Sequence, residues 1–266
     1  LGPAAVLAAE RYCRSRGAML IVDPRANLDR TEDMIREVRE QGHASPNMVS
    51  YFPRMTFRKD DDAQLRAVGG AIAGLLCKLD RNYGPWQQLD QRGFGLSREL
   101  VPAVKVDAED AQALAREGIN VILPGEAGKA RVTGSVTMAR GSEMRRPLTS
   151  LAVRRLCLRI VNSIEQATRW AVFEAVDETL ARRIQSNVLA FLSALYDMGA
   201  FANDSIDVQC DAGLRRKSGF NNHGISILIS FQPQGCDEPI SLSLHQSVEG
   251  FRVASTAFAP VIGNTA

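Results

Sequence analysis

The chain of 266 residues has no apolar run of the roughly 18 residues that a membrane-spanning helix requires. The longest run, AIAGLLC, begins at Ala71 and ends before Lys78. The chain also lacks an excess of either charge, because its formal net charge is only +2. A balance so close to zero does not predict binding to nucleic acid. We therefore expect neither a membrane nor a nucleic acid among its partners.

Cysteines are few, and their spacing is not that of a disulfide framework or of a zinc site. The five are scattered along the chain and never form a CxxC pair. An odd and scattered set argues against a disulfide framework and against a zinc site, and it favours a reducing compartment. Cys77 and Cys157 fall on apolar helical faces, where we expect them to be inert packing residues.

Two glycine-rich stretches fail the tests for nucleotide-binding motifs. In GEAGKA (residues 125–130), Leu123 and Ala130 stand where a Walker motif needs a Gly and a Ser or Thr. We interpret this stretch as a tight turn between strands. GGAIAG (residues 69–74) lacks both the GxGxxG spacing and a strand ending at its first Gly. It lies in a helical pattern, which favours close packing of its backbone against a neighbouring element.

No catalytic or metal-binding constellation appears elsewhere, and GxSxG is absent as well. The acidic run 60–62 is typical of a helix start. The arginine pairs 145–146 and 154–155 indicate either a solvated face or a site for an acidic partner. We interpret the three histidines as surface or turn residues, since none has ligand spacing: His43, His223 and His245. The sequence therefore predicts no enzyme, no catalytic residue, no metal ligand and no cofactor.

The composition, with 45% apolar and 23% charged residues, is that of a soluble globular protein. Helical and strand-like stretches alternate in the first half, which predicts an α/β or α+β fold with a mixed sheet layered with helices. We expect residues 1–105 to form one α/β part and residues 106–246 a second domain. Residues 247–266 read as a tail that orders on assembly. The opening LGPAAVLAAE is already amphipathic, so we expect the chain to enter its domain partway, as an N-terminally truncated form.

Two long helices are predicted in the C-terminal half. One runs from Leu148 to Trp170, and Asp177 caps the other, which Gly199 ends. Apolar residues recur on each at spacings of three and four, so we expect an antiparallel helix pair. Its core is predicted from six side chains: Leu156, Ile160, Ile164, Ile184, Val188 and Leu192.

The stretch from residue 151 to 212 resembles the tail sheath proteins of contractile phages and related injection machines. It has their arginine-rich helix start, then WAVFEAVD, then a helix ending before Gly-Ala, then VQCD. Ala175 and Val176 depart from the usual Pro and Asn. The first half is similar too, in NMVSYFPRM, in GGAIAGLLCKLDRNYGPWQ and in INVILPGEAGKARVTGSVTM. There, Gly69-Gly70 replaces the usual Ser-Gly, and Val132-Thr133 and Ser135-Val136 replace the usual Trp and Arg-Thr.

The resemblance, which covers about residues 18–246, implies a structural, non-enzymatic protein. Members of that family stack as six-fold rings around a tail tube and attach to a baseplate. The resulting homopolymer contracts and drives the tube through a target envelope. It further implies a place in a virion tail or phage-tail-like particle, assembled in the bacterial cytoplasm. The alternatives are an α/β nucleotide-binding protein or enzyme, and a sheath-like adaptor that does not polymerise.

The final strand-like segment, ISLSLH, alternates apolar and polar residues after the turn GCDEP. The resemblance suggests that it swings away and pairs with a neighbouring subunit, since an edge strand offers unpaired main-chain groups. An ordinary internal edge strand is the alternative. The predicted inter-subunit strand is Ile240, Ser241, Leu242, Ser243, Leu244 and His245.

Overall fold

The computed structural model describes residues 2–59, 64–90, 94–139, 146–175, 177–210, 224–247 and 250–255. The chain divides into two compact units, residues 1–155 and 156–266. The described helices are α1 (Pro3–Ser15), α2 (Thr31–Gln41), α3 (Gly69–Tyr83), α4 (Ala108–Arg116), α5 (Arg146–Thr149), α6 (Leu151–Thr168) and α7 (Glu178–Asp197). The described strands are β1 (Leu20–Val22), β2 (Met48–Phe52), β3 (Met55–Phe57), β4 (Leu100–Pro102), β5 (Ile119–Pro124), β6 (Ala130–Thr133), β7 (Asp207–Cys210), β8 (Gly224–Phe231), β9 (Ile240–Ser247) and β10 (Gly250–Ser255). This is the mixed helix and sheet composition that the sequence predicts.

The first unit is built on a four-stranded sheet in the order β1-β2-β5-β6. The pairs β1–β2 and β2–β5 are parallel, and β6 turns back antiparallel to β5. Every residue of β2 is buried, as a central strand covered on both faces requires. Its side chains alternate between two cores. Val49 and Tyr51 join a cluster with Ile72 and Leu79 of α3, and the opposite cluster holds Met48, Phe52, Val6, Met34, Val38 and Leu114.

The division between the units falls after Arg155, later in the chain than residue 105, where the sequence analysis placed it. The reason is strand pairing. Ser50, Tyr51 and Phe52 of β2 pair with Ile119, Asn120 and Val121 of β5, so residues beyond 105 complete the sheet of the first unit. Parallel pairing between strands far apart in sequence leaves no local pattern from which such a boundary is predicted.

Helix α3 is fixed at its start by a carboxylate from another element. Asp23, which follows β1, accepts hydrogen bonds from the backbone N–H groups of Val68 and Gly69 at 2.8 and 2.9 Å. A Cβ on Gly69 would lie 2.7 Å from Oδ2 of Asp23, so the close approach of Asp23 explains why this position is a glycine.

Gly70 and Gly74 differ from the expectation of close backbone packing, because a Cβ on either would meet nothing within 4 Å. Cys77 is exposed, also against expectation, whereas Cys157 is buried.

The second unit carries an antiparallel sheet in the order β10-β9-β8-β7. One face of this sheet is apolar and buried, with contributions from Val208, Ile225, Ile227, Ile229, Phe231, Ile240, Leu242 and Leu244. Within α7, the buried residues recur at helical spacing, as a single apolar stripe should: Leu180, Ile184, Val188, Leu192 and Leu195. Leu156, Ile160 and Ile164 of α6 are buried as well. The antiparallel contact between these two stripes stays a prediction.

The segment ISLSLH is central in this sheet. Strand β9 pairs with β8 along its whole length and with β10 from Leu242 to Ser247. From Leu242 to His245 the main chain is therefore paired on both sides within one chain, whereas Ile240 and Ser241 pair with β8 alone among the described strands. The apolar and polar alternation does occur, since Ile240, Leu242 and Leu244 are buried while Ser241 and Ser243 are half-buried. The alternation indicates which face of the sheet each side chain lies on. It does not indicate which strands pair with β9.

Candidate assembly surfaces

The arginine pair 154–155 lies at the start of α6 and is buried rather than solvated, with 3% and 9% of each residue exposed. Arg154 donates from Nη2 to Oδ1 of Asn47 at 2.5 Å, and Asn47 donates from Nδ2 to the carbonyl of Ala18 at 3.0 Å. A buried guanidinium needs such partners, because an uncompensated charge in the interior is costly. This arginine pair therefore anchors the first turn of α6 inside the first unit and does not form the solvated face that the sequence suggested. The other pair, 145–146, and the acidic run 60–62 lie outside the residues whose side chains are described.

The polar network around Arg154 extends to α1. The hydroxyl of Ser45 accepts from the backbone N–H of Asn47 at 3.1 Å and donates to Oε1 of Glu10 at 2.7 Å. Glu10 is itself buried, and Arg14 lies 3.9 Å from its carboxylate. The network thus holds α1, the segment before β2 and the start of α6 in one arrangement.

Arg155 ties α6 to α3 through an ion pair with Asp80. Burial lowers the pKa of Arg155 to about 10, so its guanidinium stays charged at neutral pH. The nearby Tyr51 of β2 is 1% exposed, and burial raises the pKa of its hydroxyl well above its usual value, so this residue stays neutral. Both residues belong to stretches that resemble the sheath family, and in this chain both are structural.

Asn120 of β5 is another buried polar residue of the resembling stretches. It donates from Nδ2 to the carbonyls of Ser50 and Val136 at 3.2 and 2.8 Å. It also accepts on Oδ1 from the backbone N–H of Val136 at 2.9 Å. A Cβ on Gly134 would lie 2.9 Å from the same Oδ1, so glycine is needed beside it. Through these hydrogen bonds, Asn120 attaches the segment after β6 to the sheet.

We expect Asn120→Ala to destabilise the first unit by about 3 kcal/mol, because it removes three side-chain hydrogen bonds to buried or partly buried main-chain groups. Denaturant unfolding, read as the change in midpoint at constant slope, measures this effect. Asn82→Ala is the matched control, since Asn82 is exposed on α3, and its effect should stay within about 0.5 kcal/mol. Equal midpoints for the two variants would contradict the role given to Asn120.

The segment WAVFE forms a surface 3₁₀ turn between α6 and α7. The indole N–H of Trp170 donates to the carbonyl of Ala167 at 2.6 Å. The guanidinium of Arg183, on α7, lies 4.1 Å from the centroid of the Trp170 ring. Arg183 also faces Glu174 at 3.8 Å. The turn therefore contacts α6 through the Trp170–Ala167 hydrogen bond and α7 through Arg183.

Phe173 projects from this turn into solvent. Its exposure is 86%, the highest among the large apolar side chains of the described residues. Four residues later, Asp177 caps α7 by accepting from the backbone N–H of Leu180 at 2.8 Å, as the sequence predicts. A phenyl ring held in water by a well-anchored backbone is an unusual feature, and it marks a candidate contact surface.

Two of the three histidines lie among the described residues. His43 is half-buried in the loop after α2, whereas His245 differs from the expectation. It is buried in β9, and its Nδ1 lies 3.0 Å from Oγ of Ser226 on β8. It is thus a residue of the sheet interior, against the expectation of a surface or turn position. His223 lies outside the described residues.

Three specific features were sought in the described part of the chain: a phosphate-binding loop, a metal-ligand cluster and a membrane-spanning helix. GEAGKA forms the hairpin turn between β5 and β6, closed by a hydrogen bond from the Gly125 N–H to the Lys129 carbonyl at 2.8 Å. It therefore does not connect a strand to a helix, as a phosphate-binding loop does. No group of three or more His, Cys, Asp or Glu residues could hold a metal ion within the described ranges. Nor does any described helix reach the length and apolarity that a membrane crossing needs.

Comparison with known proteins gives a consistent result at the level of fold. No protein-family model matches the chain, and the search of curated proteins also returns no match. Among solved structures, the chain is similar to a component of the anti-feeding prophage baseplate, with a TM-score of 0.66 and 21% identity over 84% of this chain and 60% of that one. It is similar to the sheath complex of an extracellular contractile injection system in its contracted state, with a TM-score of 0.65 and 20% identity over 80% of this chain and 59% of that one.

A third similar structure is the helical sheath of the anti-feeding prophage in its contracted state. The TM-score is 0.65 and the identity 21%, over 86% of this chain and 62% of that one. The chain thus spans about three fifths of the length of the solved structures that it matches.

Proposed function

We propose that this chain, which has the fold of contractile sheath proteins, is a structural subunit of such a sheath. In this proposal its copies polymerise as stacked six-fold rings around a tail tube. Contraction of the polymer drives the tube through a target envelope. The subunit catalyses no reaction, and its chemistry lies in the contacts that it makes with copies of itself.

The observation that carries the proposal is the extent of the match. More than four fifths of this chain superposes on the helical sheath of the anti-feeding prophage, at 21% identity. The chain resembles that family in its residues as well, and the buried residues of those stretches, such as Asn120 and Arg155, hold the fold together. Fold and residue pattern therefore support the same assignment.

The architecture suits a subunit that is linked through sheet edges. In the order β10-β9-β8-β7, the outer strands among the described residues are β7 and β10. An outer strand has one row of main-chain groups directed away from its own sheet, and pairing with a strand of another chain satisfies them. We therefore assign the inter-subunit pairing to these outer strands and not to residues 240–245. Such a link can persist while subunits rotate, because main-chain hydrogen bonds need no particular side chains.

Contraction requires two packings of the same subunits, separated by a barrier. A polymer that stores energy when it assembles needs no nucleotide at the moment of contraction, which agrees with GEAGKA being a hairpin turn. The proposed partners are other copies of the chain, the tube protein and the baseplate. The proposed location is a virion tail or phage-tail-like particle assembled in the bacterial cytoplasm.

Sedimentation velocity at rising protein concentration tests the proposal. A sheath subunit should pass from a single slow species to large, fast-sedimenting assemblies, because a subunit in stacked rings makes contacts within and between rings that a small oligomer lacks. ATP with magnesium should leave this transition unchanged. A chain that remains monomeric throughout would support an adaptor, and a chain whose melting temperature rises in saturable fashion with nucleotide would support the enzyme alternative.

A further inference from the structure

We propose that Phe173 of one copy of this chain inserts into a preformed pocket on the first unit of a second copy. The inference rests on the self-assembly proposed above and adds to it a specific contact. Two surfaces carry it. The aromatic knob comprises Trp170 and Phe173 with the flanking charges Glu174 and Arg183. The loop pocket is lined by Leu28, Leu65 and Val104 with the charges Asp29, Arg54 and Lys105.

The knob has the properties of a binding anchor. Its phenyl ring is 86% exposed, while the backbone beneath it is fixed by the Trp170 to Ala167 hydrogen bond and by the stack of Arg183 on Trp170. Little conformational entropy is therefore lost when the ring is buried by a partner. Aromatic side chains with arginine beside them are the residue types that dominate binding energy at protein interfaces.

The pocket is preformed because its walls are tied together. Arg54 donates from Nε to the carbonyl of Pro24 at 2.7 Å. The backbone N–H of Ala103 donates to the carbonyl of Arg54 at 2.9 Å. These bonds join the segments after β1, after β2 and after β4, which are the three that supply most of the lining. A rigid concavity of this kind needs no rearrangement to receive a ligand.

The pocket is large enough to receive the phenyl ring. The cavity volume is about 350 Å³, and an apolar cavity of about 150 Å³ is enough to bind benzene. One phenyl ring therefore fits, with space for the neighbouring main chain. Three partly buried apolar residues of the lining, Leu28, Leu65 and Val104, offer the ring apolar contacts beside the charged groups.

The charges around the two surfaces are complementary. The knob carries Glu174 and Arg183, whose charged groups lie 3.8 Å apart. The pocket carries Arg54 and Lys105, of opposite sign to Glu174, and Asp29, of opposite sign to Arg183. Each charge of the knob thus has a possible partner on the pocket, which favours one orientation of docking over others.

A contact of this kind joins two different patches, since the knob lies in the second unit and the pocket in the first. Such a heterologous contact builds a ring when its rotation closes and a helical filament when it does not. Both outcomes agree with rings stacked into a helical sheath. A contact between identical patches would instead close into a dimer and stop.

A photo-crosslinking experiment on the whole chain tests the contact. Chains carrying Phe173→p-benzoylphenylalanine are mixed with ¹⁵N-labelled wild-type chains, assembled, irradiated and digested. Mass spectrometry should find the probe joined to labelled peptides that contain residues 28–29, 65 or 103–105. Crosslinks that lie elsewhere on the labelled chain, or none in assembled material, would overturn the proposal. The same probe at Met198, which is 60% exposed on the second unit, is the control and should not reach these peptides.

Substitutions give a second, independent readout. Phe173→Ala should raise the concentration needed for assembly at least tenfold, whereas Met198→Ala should change it less than twofold. Glu174→Lys and Lys105→Glu should each weaken assembly, and the double variant should restore it. Because all of these residues lie on the surface, thermal unfolding should be unchanged. Failure of the double variant to recover would contradict the predicted pairing.

The outcomes separate this contact from the proposed function. A wild-type chain that assembles, but tolerates Phe173→Ala and crosslinks elsewhere, contradicts the pocket and leaves the sheath assignment standing. A wild-type chain that never assembles contradicts both.

Discussion

Replacing Ile184 or Leu192 with Asp should abolish soluble expression of the protein. These side chains are 1% and 0% exposed in the middle of α7. The substitution removes their apolar contacts and places a carboxylate without a partner in an apolar interior, at a cost of about 4 kcal/mol or more. The free energy of unfolding of a domain is about 5–15 kcal/mol, so one such substitution removes a large part of it. Soluble yield and thermal unfolding measure the effect.

The control is Asp on the opposite face of the same helix. Ser186 and Ser193 are exposed on α7, so Ser186→Asp and Ser193→Asp add the same charge to the same helix without burying it. Their yields should equal that of the wild type. Normal folding of Ile184→Asp together with Leu192→Asp would show that the buried stripe of α7 is wrongly assigned.

A proline at Leu242 should unfold the second unit rather than merely weaken an edge. Leu242 lies in β9, which is paired on both sides, and its side chain is fully buried. Proline removes a main-chain donor from the ladder, and within a sheet it is found essentially only at edges or bulges. Loss of the leucine side chain adds about 2–5 kcal/mol. Circular dichroism and limited proteolysis should both report loss of structure from residue 156 onward.

Two matched variants separate the causes of that loss. Leu242→Ile keeps the main-chain donor and the volume, so it should cost less than about 1.5 kcal/mol. Glu238→Pro places the same residue type in the exposed bend before β9, outside the ladder, and should be tolerated. If Leu242→Pro folded as well as Glu238→Pro, a central position of β9 would be contradicted.

Helices with a regular apolar period were predictable because their signal is local. The residues Ile184, Val188 and Leu192 recur at intervals of four, and the structure buries each of them. The cap at Asp177 and the hairpin turn at Gly125 follow from neighbours within a few residues. For the same reason, the alternation in ISLSLH correctly separates the buried Ile240, Leu242 and Leu244 from the half-buried Ser241 and Ser243, and it fails only at the buried His245.

The positions that sequence reasoning missed depend on partners far along the chain. Arg154 is buried because Asn47 lies 107 residues earlier, and Arg155 because Asp80 lies 75 residues earlier. The charge pattern alone therefore suggested a solvated face. Strand order has the same origin, since nothing in ISLSLH indicates that β8 and β10 would flank it on both sides. The exposure of Phe173 was also hidden, because an aromatic residue is expected inside.

Electron microscopy of the purified protein tests the central claim most directly. The account predicts hollow tubes of constant diameter, built from stacked rings with six subunits each, which appear above a threshold concentration. A uniform population of single chains at every concentration, with neither rings nor tubes, would contradict it.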